Sequence, residues 1–254
     1  MKIVAVIQAW MGSTRLPGKM MFPLDRDPVI SHVIQRVKQA SALDEIVLAT
    51  SILNQDDILE SEAEKSGICI YRGSESDVLN RVYAAGVQES ADVVVRICAD
   101  NPLISPDCIS EAADTIVSGN ADYTSYSVAD RTLPLGVTAE AFTMNSFALV
   151  NSEADKQYER EHVTVFYKEN PSMFTLSHID GSDVFTDSKI TNRSDLRLTL
   201  DTAVDYELHQ TVYQNVTADK HRIIDLHNAI EYINKNRLST LNSDVEQKDP
   251  TENE

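Results

Sequence analysis

The chain opens with Ile3-Val4-Ala5-Val6-Ile7, an unbroken apolar run that passes through Gln8 directly into Ala9-Trp10-Met11-Gly12-Ser13-Thr14-Arg15-Leu16-Pro17-Gly18-Lys19. A strand with no polar alternation is buried on both faces, as in a parallel sheet covered by helices on either side. When such a strand opens into a loop of Gly, Ser, Arg and Lys, backbone N–H groups and cations are presented together to an anion, phosphate above all. The loop is therefore the first place to look for function.

The first half repeats this strand and helix alternation. Asp27 before Pro28 predicts a helix start, and Val29, Val33, Ile34 and Val37 supply an apolar stripe at helical spacing. Glu45-Ile46-Val47-Leu48-Ala49-Thr50 reads as a second strand, with a polar helix from Asn54 to about Lys65 stopped at Gly67. Ile68 to Tyr71 is a third strand, and a helix around Val78, Leu79, Val82 and Tyr83 precedes the strong strand Asp92 to Cys98. Pro106 opens a further helix that closes near Gly119. Strands separated by helices imply a three-layer α/β fold, a mostly parallel sheet with helices on both faces, whose ligands sit beyond the strand C-termini. Ala9 to Lys19 and Ala99 to Pro102 then share one rim.

The second half is less regular. Thr132 to Phe142 reads as a loop returning into a strand, Tyr158 to Lys168 as a helix, and Leu196 to Leu200 as a half-buried strand ending at Asp201. Val204 to Tyr213 and Ile223 to Asn236 read as helices. A chain of 254 residues fits one domain, 1–238, followed by a polar, acidic tail, 239–254, that is expected to be disordered.

The net charge of −18 excludes the basic surface that nucleic acid or an anionic membrane would need. Against that background Arg15 and Lys19 stand out. No secretory leader and no apolar run approaching the roughly 18 residues of a membrane span is visible, so a cytoplasmic protein is expected. Cys69, Cys98 and Cys108 have no metal-ligand spacing and read as small buried apolar residues in a reducing compartment.

The loop is not a Walker phosphate loop, because five residues separate Gly12 from Gly18 and Met20 follows Lys19 where a Ser or Thr is required. The dinucleotide pattern G-x-G-x-x-G is absent too. Instead Ile7-Gln8-Ala9-x-Met11-Gly12-Ser13-Thr14-Arg15-Leu16-Pro17-Gly18-Lys19 resembles the opening motif of the spore-coat polysaccharide biosynthesis protein F family, relatives of the acylneuraminate and 3-deoxy-manno-octulosonate cytidylyltransferases. Further segments match in order: Gly73 to Arg81, Arg96-Ile97-Cys98-Ala99-Asp100-Asn101-Pro102-Leu103-Ile104, Pro134-Leu135-Gly136 with Glu140-Ala141-Phe142, Arg160-Glu161-His162-Val163-Thr164, and Arg197 to Thr202 with Asp205.

The resemblance implies a nucleotide-diphospho-sugar transferase fold of the glycosyltransferase-A-like kind and a cytidylyltransferase that joins CTP to an acidic sugar. It implies catalytic roles for Arg15, Lys19 and Asp100, and a nucleotide site made by Gln8, Ala9, Gly12, Ser13, Arg15, Lys19, Ser74, Asp77 and Arg81. Glu140, Glu161 and His162 become sugar-binding candidates, and Asp100 and Asp201 ligands of Mg²⁺. Asp205 reads as a first-turn helix acid favoured by the helix dipole, with orientation of the site as its alternative role. The relatives are often dimers, which leaves a homodimer open.

Trp10 departs from the pattern, standing where the family usually carries Arg. Tryptophan can stack, but it supplies neither positive charge nor a phosphate fork. Guanylyl or uridylyl transfer and a non-catalytic nucleotide- or sugar-binding homologue therefore remain as alternative readings.

Overall fold

A computed structural model describes residues 1–119, 121–126, 131–219, 221 and 223–247. Its centre is a seven-stranded sheet. Strand β1 is Ile3–Gln8, β2 and β3 are the two-residue partners Pro23–Leu24 and Asp27–Pro28 of a separate hairpin, and β4 is Glu45–Ser51. The others are β5 Cys69–Gly73, β6 Val93–Cys98, β7 Tyr123–Tyr126, β8 Glu140–Thr143 and β9 Leu176–Ile179. Their order is β5-β4-β1-β6-β8-β7-β9. The first four are mutually parallel, β8 is antiparallel to both β6 and β7, and β9 is parallel to β7.

The apolar run of β1 explains the layers. Ala5 and Ile7 join one core with Leu48, Val95 and Ile97, while Val4 and Val6 join another with Val47, Ala49 and Val94 on the opposite face. Successive side chains of a strand point to opposite faces, so a strand apolar at every position needs two cores. Helices α1 (Val29–Val37), α2 (Asp57–Ser66) and α4 (Pro106–Gly119) cover the first face, and α3 (Val78–Gln88) and α5 (Met144–Glu153) cover the second. The stripe Val29, Val33, Ile34 and Val37 is wholly buried. Each such side chain contributes roughly 1.5–3 kcal/mol by leaving water.

The remaining helices are α6 (Gln157–Glu161), α7 (Val165–Glu169), α8 (Gly181–Val184), α9 (Ser188–Thr191), α10 (Ala203–Asn215) and α11 (Leu226–Lys235). None of the described helices is long and apolar enough to cross a membrane. Chain order turns back at β1, whose neighbours β4 and β6 lie on opposite sides, so the loops after β1 and β6 open at a topological switch point.

Four expectations need correction. Asp27 does not cap α1; it is paired in the hairpin, and Pro28 occupies the cap position. The helix expected over Tyr158 to Lys168 is broken into α6 and α7 by Val163, whose φ of 45° is costly for a β-branched residue. Leu196 to Leu200 is fully buried rather than half-buried and forms no strand; Leu198 N donates to Leu135 O and Leu200 N to Asp100 O, both at 2.7 Å. The predicted tail is ordered at its start. A 3₁₀ turn covers Leu238–Thr240, and Asn242 is buried, donating to Arg197 O at 3.0 Å and Asp205 Oδ1 at 2.8 Å. Asn242 serves buried partners, while Ser243, Asp244, Glu246 and Gln247 are exposed. Residues 248–254 of that tail lie outside the described residues.

Candidate active site

Asp56, wholly buried, anchors the first loop by accepting from Met11 N at 2.7 Å and from the Ser51 hydroxyl. Gly18 N donates back to Met11 O at 2.9 Å, which closes the loop and delivers Lys19 into a 3₁₀ turn. The Lys19 side chain is only 5% exposed, and its ammonium donates to Asp100 Oδ2 at 3.1 Å, Leu200 O at 2.7 Å and Asp201 Oδ1 at 3.0 Å. Burial pulls the Lys19 pKa down, but Asp100 and Asp201 outweigh it and hold the ammonium above its ordinary value.

Asp201 is gripped from both sides. Arg15 lies 3.2 Å from Oδ1, and Arg197 donates to Oδ2 at 2.6 Å. Burial opposes ionisation there, yet Lys19, Arg15 and Arg197 hold the carboxyl below its usual range. Asp205 accepts from Asp201 N and Thr202 N, caps α10 with Thr202, and receives Arg197 Nε at 3.1 Å. It therefore does more than favour the helix dipole: it orients Arg197. Gln247 accepts from Arg197 Nη1 at 2.7 Å, so the ordered start of the tail braces the same arginine.

These groups face a cavity of about 460 Å³ at the switch point, lined by Gln8, Ala9, Trp10, Ser13, Thr14, Arg15 and Lys19 from the first loop. Asp100 and Asp201 line it beside them, and Glu161 and His162 line it too. A roomier groove of about 810 Å³ lies at Asn215, Tyr232 and their neighbours, but its lining is exposed or half-buried and no buried charge converges there.

Other expected site residues serve the framework. Ser74 Oγ accepts from Asp77 N, and Asp77 caps α3 while Arg160 grips its two oxygens at 2.9 and 2.6 Å. Neither Ser74 nor Asp77 lines the cavity; Glu75, Ser76 and Val78 beside them do. Arg81 is buried, lines the cavity and donates to Ser74 O and Glu75 O; burial lowers its pKa. Glu140 is not on the cavity wall. It accepts from Arg96 Nη1 at 2.6 Å, Lys168 Nζ at 3.1 Å, Thr164 Oγ1 at 3.1 Å and the Tyr123 hydroxyl. Burial would raise its pKa, but Lys168 and Arg96 hold it well below the ordinary carboxylate range. Arg96, missed as a site residue, lines the cavity instead.

Gly12 lies beneath the Trp10 ring rather than on the wall. A Cβ there would meet the indole at 2.5 Å and Gln55 at 3.2 Å, so the absent side chain is what lets the ring lie down. Trp10 is the single tryptophan of the chain. Its emission is expected to change saturably as CTP is titrated in, and Trp10→Phe to abolish the signal. An unchanged spectrum at CTP concentrations that saturate turnover would place the nucleotide elsewhere.

The cytidylyltransferase family model matches residues 4–220. The chain belongs to the cytidylyltransferase family. The Bacillus subtilis spore coat polysaccharide biosynthesis protein SpsF is 32% identical over 218 residues, covering 84% of this chain and 86% of that protein. A solved cytidylyltransferase from Leptospira borgpetersenii superposes with a TM-score of 0.84 at 28% identity, covering 98% of this chain and 100% of that one. A synthetase of CMP-2-keto-3-deoxy-manno-octonic acid, solved with CTP, shares the fold at a TM-score of 0.63 and 16% identity, over 84% and 99% of the two chains. The family is that of nucleotidyltransferases, and the switch-point cavity of this cytidylyltransferase is lined by the loop that follows β1.

One further side-chain group, Glu45, Cys69 and Glu89, lies at the opposite, N-terminal ends of the strands, with ligand atoms within 4.8 Å of one another. Cys69 is half-buried rather than buried, as is Cys98, and burial and the two carboxylates push the Cys69 thiol up.

Proposed function

We propose that this cytidylyltransferase joins CTP to a hydroxyl of an acidic sugar and releases pyrophosphate. The observation that carries the reading is the buried Lys19 ammonium, clamped between Asp100 and Asp201 beside Arg15 at the switch-point cavity. The sugar hydroxyl attacks the α-phosphorus, the bond to the bridging oxygen of pyrophosphate breaks, and the hydroxyl proton passes to solvent. Lys19 and Arg15 lie where charge builds on the departing group, and fixed charges in a water-poor site stabilise it without having to reorganise. Trp10 brings no charge to this task, but Arg15 and Lys19 line the cavity beside it.

The donor set also fits a divalent cation. Lys19, Arg15 and Arg197 are balanced by Asp100, Asp201 and Asp205, so the ion-pair cluster is formally neutral and a divalent cation would add the positive charge that a triphosphate calls for. Both oxygens of Asp201 are taken by cations, whereas Asp100 is 28% exposed on the cavity and bonded to Lys19 through one oxygen. Asp100 is therefore the better candidate ligand and Asp201 the anchor of the cations. Bound there, Mg²⁺ would neutralise phosphate charge and keep water among its ligands.

The test is pyrophosphate release from each of the four nucleoside triphosphates with acidic sugars and Mg²⁺ present. CTP is expected to be preferred. Faster release from GTP or UTP would overturn the choice of base, and CTP binding without release under any pairing would make the chain a non-catalytic binder.

A further inference from the structure

Arg96 sits at an unusual address. It occupies central strand β6, where its same-face neighbour Val94 is wholly buried in the second core, and its side chain is only 12% exposed. The antiparallel register places it directly opposite Glu140 on β8. Glu140 holds Nη1 at 2.6 Å and Gln8 holds Nε at 2.8 Å, so two bonds fix the guanidinium plane while the residue lines the cavity.

Glu140 does not need this arginine for its own charge. Lys168, Tyr123 and Thr164 already donate to it, so the cluster contains two cations and one carboxylate. Lys168 is 44% exposed and meets solvent, whereas Arg96 is 12% exposed and lines the cavity, so Arg96 is the cation placed to share its charge with an anion entering there. The charge-balanced Lys19 cluster takes part in none of these bonds. The wall at Arg96 is thus a second anion site, built by a planar fork suited to a carboxylate and aimed by Glu140 and Gln8.

We propose that Arg96 reads the carboxylate of the acceptor sugar and sets the preference for acidic over neutral acceptors; this rests on the nucleotidyl-transfer reading above. Glu140 is then a positioning residue behind Arg96, not a contact of the sugar.

The test compares 3-deoxy-manno-octulosonate and N-acetylneuraminate with their C1 carboxamides, which keep the sugar's shape and remove its charge. With wild-type enzyme, CTP and Mg²⁺, kcat/KM for an acid is expected to exceed that for its amide by about 100-fold. Arg96→Gln should erase most of that ratio by slowing the acid, leaving the amide within about threefold and the KM for CTP unchanged. Glu140 keeps three donors in this variant, so its melting curve should stay close to that of the wild type.

Wild-type indifference to the carboxylate, or equal losses on acid and amide in Arg96→Gln, would overturn the assignment. So would a raised KM for CTP with the acid preference intact, which would give Arg96 to the nucleotide. Each of these leaves nucleotidyl transfer standing. Absence of pyrophosphate release with every acceptor, acidic or neutral, would remove the nucleotidyl-transfer reading and the assignment together.

Discussion

Lys19→Ala is expected to lower turnover by about 10³-fold, at the upper end of what a single preorganised electrostatic donor contributes. The ammonium has three acceptors, Asp100, Asp201 and the Leu200 carbonyl, and its side chain is only 5% exposed, so water is a poor substitute for it. Lys19→Arg should not restore the rate, because a planar fork does not fit a pocket shaped around a compact ammonium. The fold should survive, since Asp201 keeps Arg15 and Arg197 and is not left as an unpaired buried charge. The measurement is pyrophosphate release at saturating CTP and acceptor, with a thermal melt as the control. A correctly folded Lys19→Ala enzyme that forms product at the normal rate would exclude Lys19 from the chemistry.

What the sequence disclosed and what it hid divide along the range of the interactions. Strand β1 and helix α1 are legible because their apolar residues repeat at the period of the element that contains them. The anion-binding character of the first loop is legible for a similar reason, since its cations and glycines are neighbours in the chain. The role of Glu140 is not local. It depends on a register that sets Arg96 opposite a residue 44 positions away, and on Lys168 28 positions farther along. Asp77 likewise looks available to a ligand until Arg160, 83 residues later, takes both of its oxygens. A local signal for Arg96 did exist: it is the one charge within the run Val93-Val94-Val95-Arg96-Ile97, where burying it requires a partner or a task. Leu196 to Leu200 misled because it alternates like a strand, while its backbone is claimed at separate points by Leu135 and Asp100.

That last arrangement rests on Gly136, and Gly136→Ala is expected to cost at least about 3 kcal/mol of stability. Its φ of +95° lies in the region that L side chains rarely adopt. A Cβ there would stand 2.6 Å from Leu198 C and Thr199 N and 2.7 Å from Leu198 O, all backbone atoms that no rotamer change can move aside. Relief would require the 196–201 segment to retreat. Leu135, next to Gly136, holds that segment through Leu196 O and Leu198 N, and Leu200 N ties it to Asp100 O, so a retreat would also pull Asp201 away from Lys19. Stability and turnover should therefore fall together, with turnover reduced even at temperatures where the variant remains folded. Chemical denaturation followed by circular dichroism gives the first quantity, and pyrophosphate release from the folded fraction gives the second. Gly119→Ala is the control, because no neighbouring atom lies within 4 Å of a Cβ there, and its stability should change by less than about 1 kcal/mol. Wild-type stability and rate in Gly136→Ala would mean that the approach of these two backbones does not hold Asp201 in place.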